Sequence, residues 1–298
     1  MSLRTQAEKE YAMSFSRPVG QKDVFLLQAG SGQYCLKSYQ IPEEEMRFLA
    51  SVFERLRESG FQQAPVATRT VSGEVFFLYK GSRYMLTPWI AGRAPDFSRG
   101  RELKKALRTL ARFHLHARGL PPEQVPASRI RVGEIRKNLT DYPAALQRRK
   151  RLTPLMELCR EAEAAAAHPD FQNSLDKELQ AGAFIHGDYN YPNLVLDPSR
   201  KLHLIDFENC SLQSRMEDLS HILHRNAPFQ ASRMLKLVES YDRIRPLDAG
   251  DRRVLYVLLL LPYPAIRAMR QKKKKSFPNP PDWKKLSRYL KDLSSLID

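Results

Sequence analysis

Phe184-Ile185-His186-Gly187-Asp188-Tyr189-Asn190-Tyr191-Pro192-Asn193, followed closely by Leu202-His203-Leu204-Ile205-Asp206-Phe207-Glu208, is the stretch from which the rest of the chain can be read. Three of its side chains suit one job. Asp188 can orient an attacking hydroxyl, and Asn193 and Asp206 offer oxygen ligands for magnesium against nucleotide phosphates. Phe184-Ile185 reads as a short apolar strand that delivers His186 to a loop. Leu194-Val195-Leu196 and Leu202-His203-Leu204-Ile205 alternate or run apolar, as strands do. Asp197-Pro198-Ser199-Arg200 between them is a turn signal. A hairpin with that turn brings Asn193, at its entrance, beside Asp206, at its exit. Taken singly, Asp188 and Asp206 read as turn residues and His186 as a satisfied half-buried imidazole. Taken in this order and spacing, Asp188, His186 and Asn193 read as a catalytic set, with Asn193 and Asp206 as metal ligands.

Upstream, residues 1–88 read as a small N-terminal lobe built on an antiparallel sheet. Residues 23–28 are strand-like, Ala29-Gly30-Ser31-Gly32 is a tight turn, and residues 33–39 return as a second strand. Pro42 with Glu43, Glu44 and Glu45 opens a helix. Its Met46, Leu49, Phe53 and Leu56 recur at helical spacing, and Gly60 ends it. Two more strands are expected over residues 73–79 and 83–87. Lys37 on the second strand is placed to bind the alpha and beta phosphates of a nucleotide, with Glu45, or else Glu44, as the helix carboxylate that positions it. The phosphate-covering loop is expected at residues 17–22, since Gly30-Ser31-Gly32 is the far hairpin turn. Thr87-Pro88-Trp89-Ile90 is the expected hinge. Its backbone could meet an adenine edge, and because Pro88 has no donor, Trp89 and Ile90 must supply the N–H.

Residues 89–298 read as a larger, mainly helical C-terminal lobe, so the fold class is α+β. One helix is expected over residues 101–116, with Leu103, Leu107, Leu110, Ala111 and His114 on its stripe. Others are expected within residues 133–180 and over 218–224, 231–241, 252–269 and 283–297. Asp218, at a helix start after the site, is a candidate acceptor for backbone N–H groups of the catalytic loop.

The 298 residues carry a formal net charge of +16, which attracts something acidic: a nucleotide, an anionic surface or a polyanion. Much of it lies in Arg148-Arg149-Lys150-Arg151 and Lys272-Lys273-Lys274-Lys275, runs that are ordinarily solvated surface. No zinc-finger spacing occurs and no aromatics interleave the basic clusters, so nucleic acid is not an expected partner. The longest apolar run, residues 254–262, is too short to cross a bilayer, and the N-terminus lacks the apolar stretch of a signal peptide. Cys35, Cys159 and Cys210 lie far apart without CxxC spacing, which suggests a reducing compartment and neither a disulfide framework nor a zinc site. A cytoplasmic location is the expectation.

His186-Gly187-Asp188 with Asn193, Ile205-Asp206-Phe207-Glu208, and the Leu110-Ala111-Arg112-Phe113-His114 helix resemble the aminoglycoside phosphotransferase and choline kinase-like superfamily over nearly the whole chain. Within it, the strand Gly32-Gln33-Tyr34-Cys35-Leu36-Lys37, the segment Asp206-Phe207-Glu208-Asn209-Cys210 and the basic C-terminal region look most like the CotS-type spore coat kinases. Protein kinases share the Asp-to-Asn spacing, but Gly187 in place of Arg and Glu208 in place of Gly point away from them. The resemblance implies a bilobal protein-kinase-like fold with ATP and magnesium in the interlobe cleft. It implies Asp188 as base and Asn193 and Asp206 as metal ligands in an ATP-dependent phosphotransferase acting on a hydroxyl acceptor of undisclosed identity. It also brings spore coat proteins or an anionic surface into view as partners, and the mother cell and then the spore coat as location. A catalytically silent coat protein that kept the kinase fold is the alternative, against which the intact Lys37, Asp188, Asn193 and Asp206 set argues. An aminoglycoside or other small-molecule kinase is a third reading. Aminoglycosides are polycations, however, and Arg129, Arg131, Arg136 and Lys137 on the substrate side are a poor match for one.

Overall fold

The computed structural model describes residues 1–16, 18–21, 23–270 and 281–298. Its elements, in chain order, begin with α1 (Leu3–Tyr11), β1 (Val19–Gln21), β2 (Val24–Ala29), β3 (Gly32–Tyr39), α2 (Glu43–Glu58), β4 (Phe77–Tyr79), β5 (Ser82–Pro88) and α3 (Gly100–His116). Then follow α4 (Glu134–Gln147), α5 (Met156–Ala166), α6 (Pro169–Gln180), β6 (Phe184–Ile185), β7 (Leu194–Leu196), β8 (Leu202–Leu204) and β9 (Ser211–Leu212). The chain ends through α7 (Met216–Asn226), α8 (Ala231–Asp242), α9 (Ala249–Leu260), α10 (Tyr263–Arg270) and α11 (Trp283–Ser294). They fall into two compact units, Met1–Pro95 with Tyr191–Glu208, and Asp96–Asn190 with Asn209–Asp298. The returning segment Tyr191–Glu208 thus joins the first unit, which a single boundary after residue 88 does not capture. Backbone pairing explains it: Leu204 N–H donates to Gln63 O at 2.8 Å, and Arg93 and Leu196 exchange bonds of 3.1 and 2.7 Å.

In the first unit the strands form an antiparallel sheet in the order β1-β2-β3-β5-β4. Register places Lys37 opposite both Val24 and Met85, in the middle of the sheet. Successive strand residues face opposite ways. Leu36 joins Leu27, Leu86, Phe77, Ala7 and Tyr11 in a buried cluster, and Lys37 faces the other side. Helix α1 is not legible as an amphipathic helix, because only Ala7 and Tyr11, one turn apart, are buried. Ser2 caps it by accepting the Thr5 N–H at 3.1 Å. Helix α2 buries Met46, Leu49, Phe53 and Leu56, the stripe its spacing predicts, and Phe48 and Val52 besides.

Three expectations are corrected. The strand expected over residues 73–79 is only Phe77–Tyr79, because Gly73 adopts a φ of +84° in a turn that the Thr70 N–H closes on Glu74 O at 2.8 Å. In the expected phosphate-covering loop, Arg17 and Lys22 lie outside the described residues, and Val19–Gln21 between them is a strand paired with β2. The helix expected over residues 252–269 is two, α9 and α10, broken where Pro262 forces Leu261 into an extended conformation. The Lys272–Lys275 cluster lies outside the described residues.

The second unit is mainly helical. Helix α9 is buried all along Val254–Leu260 and packs against α5, α6 and α7. A buried ionic network fixes the start of α7. Arg215 Nε donates to both Glu178 oxygens at 3.1 and 2.9 Å, its N–H donates to Glu178 Oε2 at 3.0 Å, and its Nη1 donates to His114 O at 2.7 Å. Arg245 bridges to Asp251 at 3.0 Å beside it. No helix among the described residues is long and apolar enough to cross a membrane.

Candidate active site

The first unit brings Lys37, Asn193 and Asp206 to one cavity of about 360 Å³, which Trp89 and Ile90 also line. That volume lies within the range of small-molecule sites. The hairpin β7–β8 pairs Leu194 with Leu204, and Ile205 N–H donates to Asn193 O at 3.0 Å, so Asn193 and Asp206 occupy neighbouring strand ends. The turn is stabilised by Asp197, whose Oδ1 accepts from Lys201 N and Ser199 Oγ, both at 2.8 Å. A bond from His203 chiefly, then those from Ser199 and Lys201, hold the Asp197 carboxyl down at about 2. Asp206 sits at a φ of +65°, the left-handed region that most residues avoid and Asp tolerates. Phe207 is buried edge-on against Phe53 of α2, with ring centres 5.3 Å apart.

Lys37 Nζ donates to Asp206 Oδ1 at 2.5 Å and to Glu208 Oε2 at 3.2 Å, and its side chain is only 16% exposed. The Glu208 contact was not read from the sequence, since a residue two places past Asp206 carries no spacing rule. Glu45 is half-buried in the first turn of α2, while Glu43 and Glu44 are exposed. The Trp89 expectation is corrected: its N–H donates to Gln33 O at 2.8 Å, extending the β3–β5 pairing by one residue. Ile90 lines the same cavity.

In the second unit, fully buried Asp218 holds the loop of His186, Gly187 and Asp188 by its backbone. Its Oδ2 accepts the His186 N–H at 2.8 Å, and its Oδ1 accepts the Gly187 N–H at 3.0 Å. His114 Nε2 lies 3.4 Å from the same carboxylate, and its Nδ1 lies 2.8 Å from the Tyr241 hydroxyl. Burial first, then the charge of Arg215, drives His114 well below its ordinary pKa, so the ring is neutral. Nε2–H then donates to Asp218, and Nδ1 accepts from Tyr241. His186 is fully buried and its Nδ1 accepts the Asp188 N–H at 3.4 Å, so it shapes the loop from within. The sequence places His186 in the catalytic set, and in the structure its ring is buried and bonded within the loop.

Gly187 explains why no arginine precedes Asp188. Its φ is +80°, and a Cβ there would lie 2.2 Å from Asn209 O. Asp188 Oδ1 accepts from Arg225 Nη2 at 2.8 Å, a charge-assisted bond from a largely buried guanidinium on α7. Arg225 was missed in the sequence. The available signal was spacing, because Asp218 and Arg225 are two turns apart on one face of α7.

A profile of the phosphotransferase enzyme family matches residues 17–253. The chain belongs to this family. Spore coat protein S of Bacillus subtilis (strain 168) is 22% identical over 263 residues, 81% of this chain and 74% of that protein. The crystal structure of aminoglycoside phosphotransferase from Alicyclobacillus acidocaldarius superposes with a TM-score of 0.74 at 19% identity, covering 99% of this chain and 92% of that one. Spectinomycin phosphotransferase, solved in complex with ADP and spectinomycin, superposes with a TM-score of 0.55 at 16% identity, covering 99% and 94%. The α+β kinase-like fold expected from the sequence is the fold of these phosphotransferases.

Helix α7 also carries groups whose titration affects stability. Burial first, then the neighbouring Asp218 charge, pushes the Glu217 carboxyl up to about 8, with a Gln213 hydrogen bond opposing. Burial pushes His221 down to about 3 and His224 to about 4. Folded Glu217 therefore keeps a proton that the unfolded chain releases above the ordinary value of 4.5, so its contribution to stability falls as pH rises from there through about 8. The histidines act in the opposite sense. They are neutral when folded, and stability is lost as pH falls below their ordinary 6.5. Between pH 6.5 and 8 only Glu217 of these three is in play, and Glu217→Gln is expected to flatten the decline in melting temperature there. A decline as steep in the variant as in the native protein would assign it to other groups.

Proposed function

We propose that the protein transfers the γ-phosphoryl group of ATP to a hydroxyl acceptor. The observation that carries this reading is the partly buried Lys37, held by Asp206 and Glu208 in one cavity with Asn193. A lone ammonium among carboxylate and amide oxygens suits phosphates and a hard divalent cation. Asn193 and Asp206 would hold magnesium, which when bound supplies positive charge against the phosphate oxygens. Lys37 adds its own charge there, Glu45 steers Lys37, and the Ile90 backbone meets the adenine edge. Asp188, held by Arg225 and by the Asp218-braced loop, orients the acceptor hydroxyl. Transfer forms a bond from the acceptor oxygen to the γ-phosphorus and breaks the bond from that phosphorus to the bridging oxygen. ADP leaves with the electron pair, and the hydroxyl proton passes to Asp188.

Spectinomycin phosphotransferase crystallised with ADP supports nucleotide use. Similarity to spore coat protein S supports a place of action in the coat. The exposed Arg148-Arg149-Lys150-Arg151 run supports an anionic partner or surface there. Thermal melting with ATP, with and without magnesium, tests the reading. Magnesium–ATP at 100 times its dissociation constant should stabilise the fold by about 2.7 kcal/mol. A melting temperature indifferent to magnesium–ATP would favour the catalytically silent coat protein instead.

A further inference from the structure

A second cavity, of about 420 Å³, lies wholly within the second unit, and Gly187 of the catalytic loop and Asn209 form part of its wall. Glu217 and His221, one turn apart on α7, also line it, as does Tyr263 of α10. The Tyr263 ring stacks on His221, with centres 4.3 Å apart and planes 26° from parallel. Its hydroxyl lies 3.4 Å from Arg225 Nη2, the atom that donates to Asp188 Oδ1 at 2.8 Å. One guanidinium thus joins the wall of this cavity to the proposed base.

Two polar atoms of that lining are buried without a hydrogen-bond partner, Glu217 Oε1 and His221 Nδ1. Glu217 as a residue is only 4% exposed. Groups so buried are normally satisfied within a protein, and an orphan beside a cavity points to a ligand that completes it. The surroundings indicate what kind. Asn138, Asn209, Ser211 and Gln213 offer neutral donors and acceptors. The charged lining is Arg131, Lys137 and Arg270 against Glu134, Asp141 and Glu217, and because burial keeps Glu217 protonated the cations are in excess by one. A polyamine would need the reverse balance.

We propose that this cavity is the acceptor pocket and that it takes an uncharged or anionic saccharide, whose hydroxyls are read by Glu217, His221 and the neighbouring amides. The proposal rests on the phosphotransferase reading and names the acceptor class for it. Glu217, kept protonated by burial, both donates and accepts, as a sugar hydroxyl does.

The test uses the full chain with magnesium, ATP and two matched acceptors, N-acetylated chitin oligosaccharides and their de-N-acetylated counterparts. These present the same ring hydroxyls without and with ammonium groups. Phosphate esters are followed by phosphorus NMR and acceptor binding by calorimetry. The neutral oligosaccharide is expected to be the better acceptor by about tenfold or more in kcat/KM, the worth of one well-made hydrogen bond or charge contact. Preference for the ammonium form overturns the proposal. So does absence of both transfer and binding with the neutral form while magnesium–ATP still binds. Loss of magnesium–ATP binding itself would instead count against the phosphotransferase reading. Glu217→Leu removes a carboxyl with one unpartnered oxygen without opening a void, so it should fold, with an acceptor KM raised about tenfold or more. Glu217→Gln should largely restore that KM, because a neutral amide replaces a neutral carboxyl. His221→Phe, which keeps the stack on Tyr263, is the second variant and should raise the acceptor KM alone. An unchanged acceptor KM in the folded variants overturns the assignment.

Discussion

Asp188→Asn is expected to abolish phosphoryl transfer while leaving magnesium–nucleotide affinity nearly intact, whereas Asp206→Asn is expected to abolish transfer by weakening that affinity. Each expectation follows from the company the two carboxylates keep. Asp188 belongs to the second unit, on a loop braced by Asp218 and against the guanidinium of Arg225. An amide there keeps the size of the side chain but cannot take a proton, and loss of a general base costs on the order of 10²–10⁴ in rate. Asp206 belongs to the first unit, on Lys37 and next to Asn193 across the hairpin end. On the proposed reading, removing its charge removes a ligand for magnesium, and it also removes the shorter of the two Lys37 contacts, so nucleotide should bind at least about tenfold more weakly. Calorimetry with magnesium–ATP on both variants separates the roles. Equal losses of affinity would show that the two carboxylates have been given the wrong tasks.

Glu178→Ala is expected to cost the fold about 3–5 kcal/mol, the usual penalty for stranding one partner of a buried ion pair. Its carboxylate takes the Arg215 guanidinium through several bonds, accepts the Arg215 N–H and lies 3.8 Å from Arg245. Arg215 pairing outweighs the desolvation of the site and keeps the Glu178 carboxyl below its ordinary pKa. Truncation leaves two cations in the interior with less than their complement of acceptors. Arg215 immediately precedes α7, which carries Asp218 and Arg225, so the catalytic loop should loosen together with the fold. Urea denaturation gives the number. A loss below about 1 kcal/mol would mean that water or a neighbouring group takes over the role of Glu178.

What could be read from the sequence was what neighbours along the chain decide. The hairpin that sets Asn193 beside Asp206 was legible because its turn, its strands and both oxygen-bearing residues lie within fifteen positions of one another. The stripes of α2 and α3 were legible because their buried residues recur at helical spacing. Asp218 was the exception, legible as a brace from its place at a helix start although it lies 32 positions beyond His186. The missed features depend on partners distant in sequence. The Trp89 N–H goes to Gln33, and Arg225 meets Asp188 from a separate helix. Glu208 stands in the quoted motif, yet its bond to Lys37 spans 171 positions. Helix α1 buries too few apolar residues to stand out, and the break at Pro262 was hidden by the apolar residues on its N-terminal side.

The central claim is that this member of the phosphotransferase family moves a phosphoryl group, using Lys37, Asn193 and Asp206 on the nucleotide side and Asp188 on the acceptor. The most direct test is incubation of the native chain and Asp188→Asn with magnesium and ATP labelled at the γ-phosphate, in the presence of a pool of hydroxyl acceptors. The native protein is expected to move label from ATP into phosphate esters, and the variant to bind the nucleotide without moving it. Label that stays on ATP with both proteins, or moves equally with both, would contradict the account.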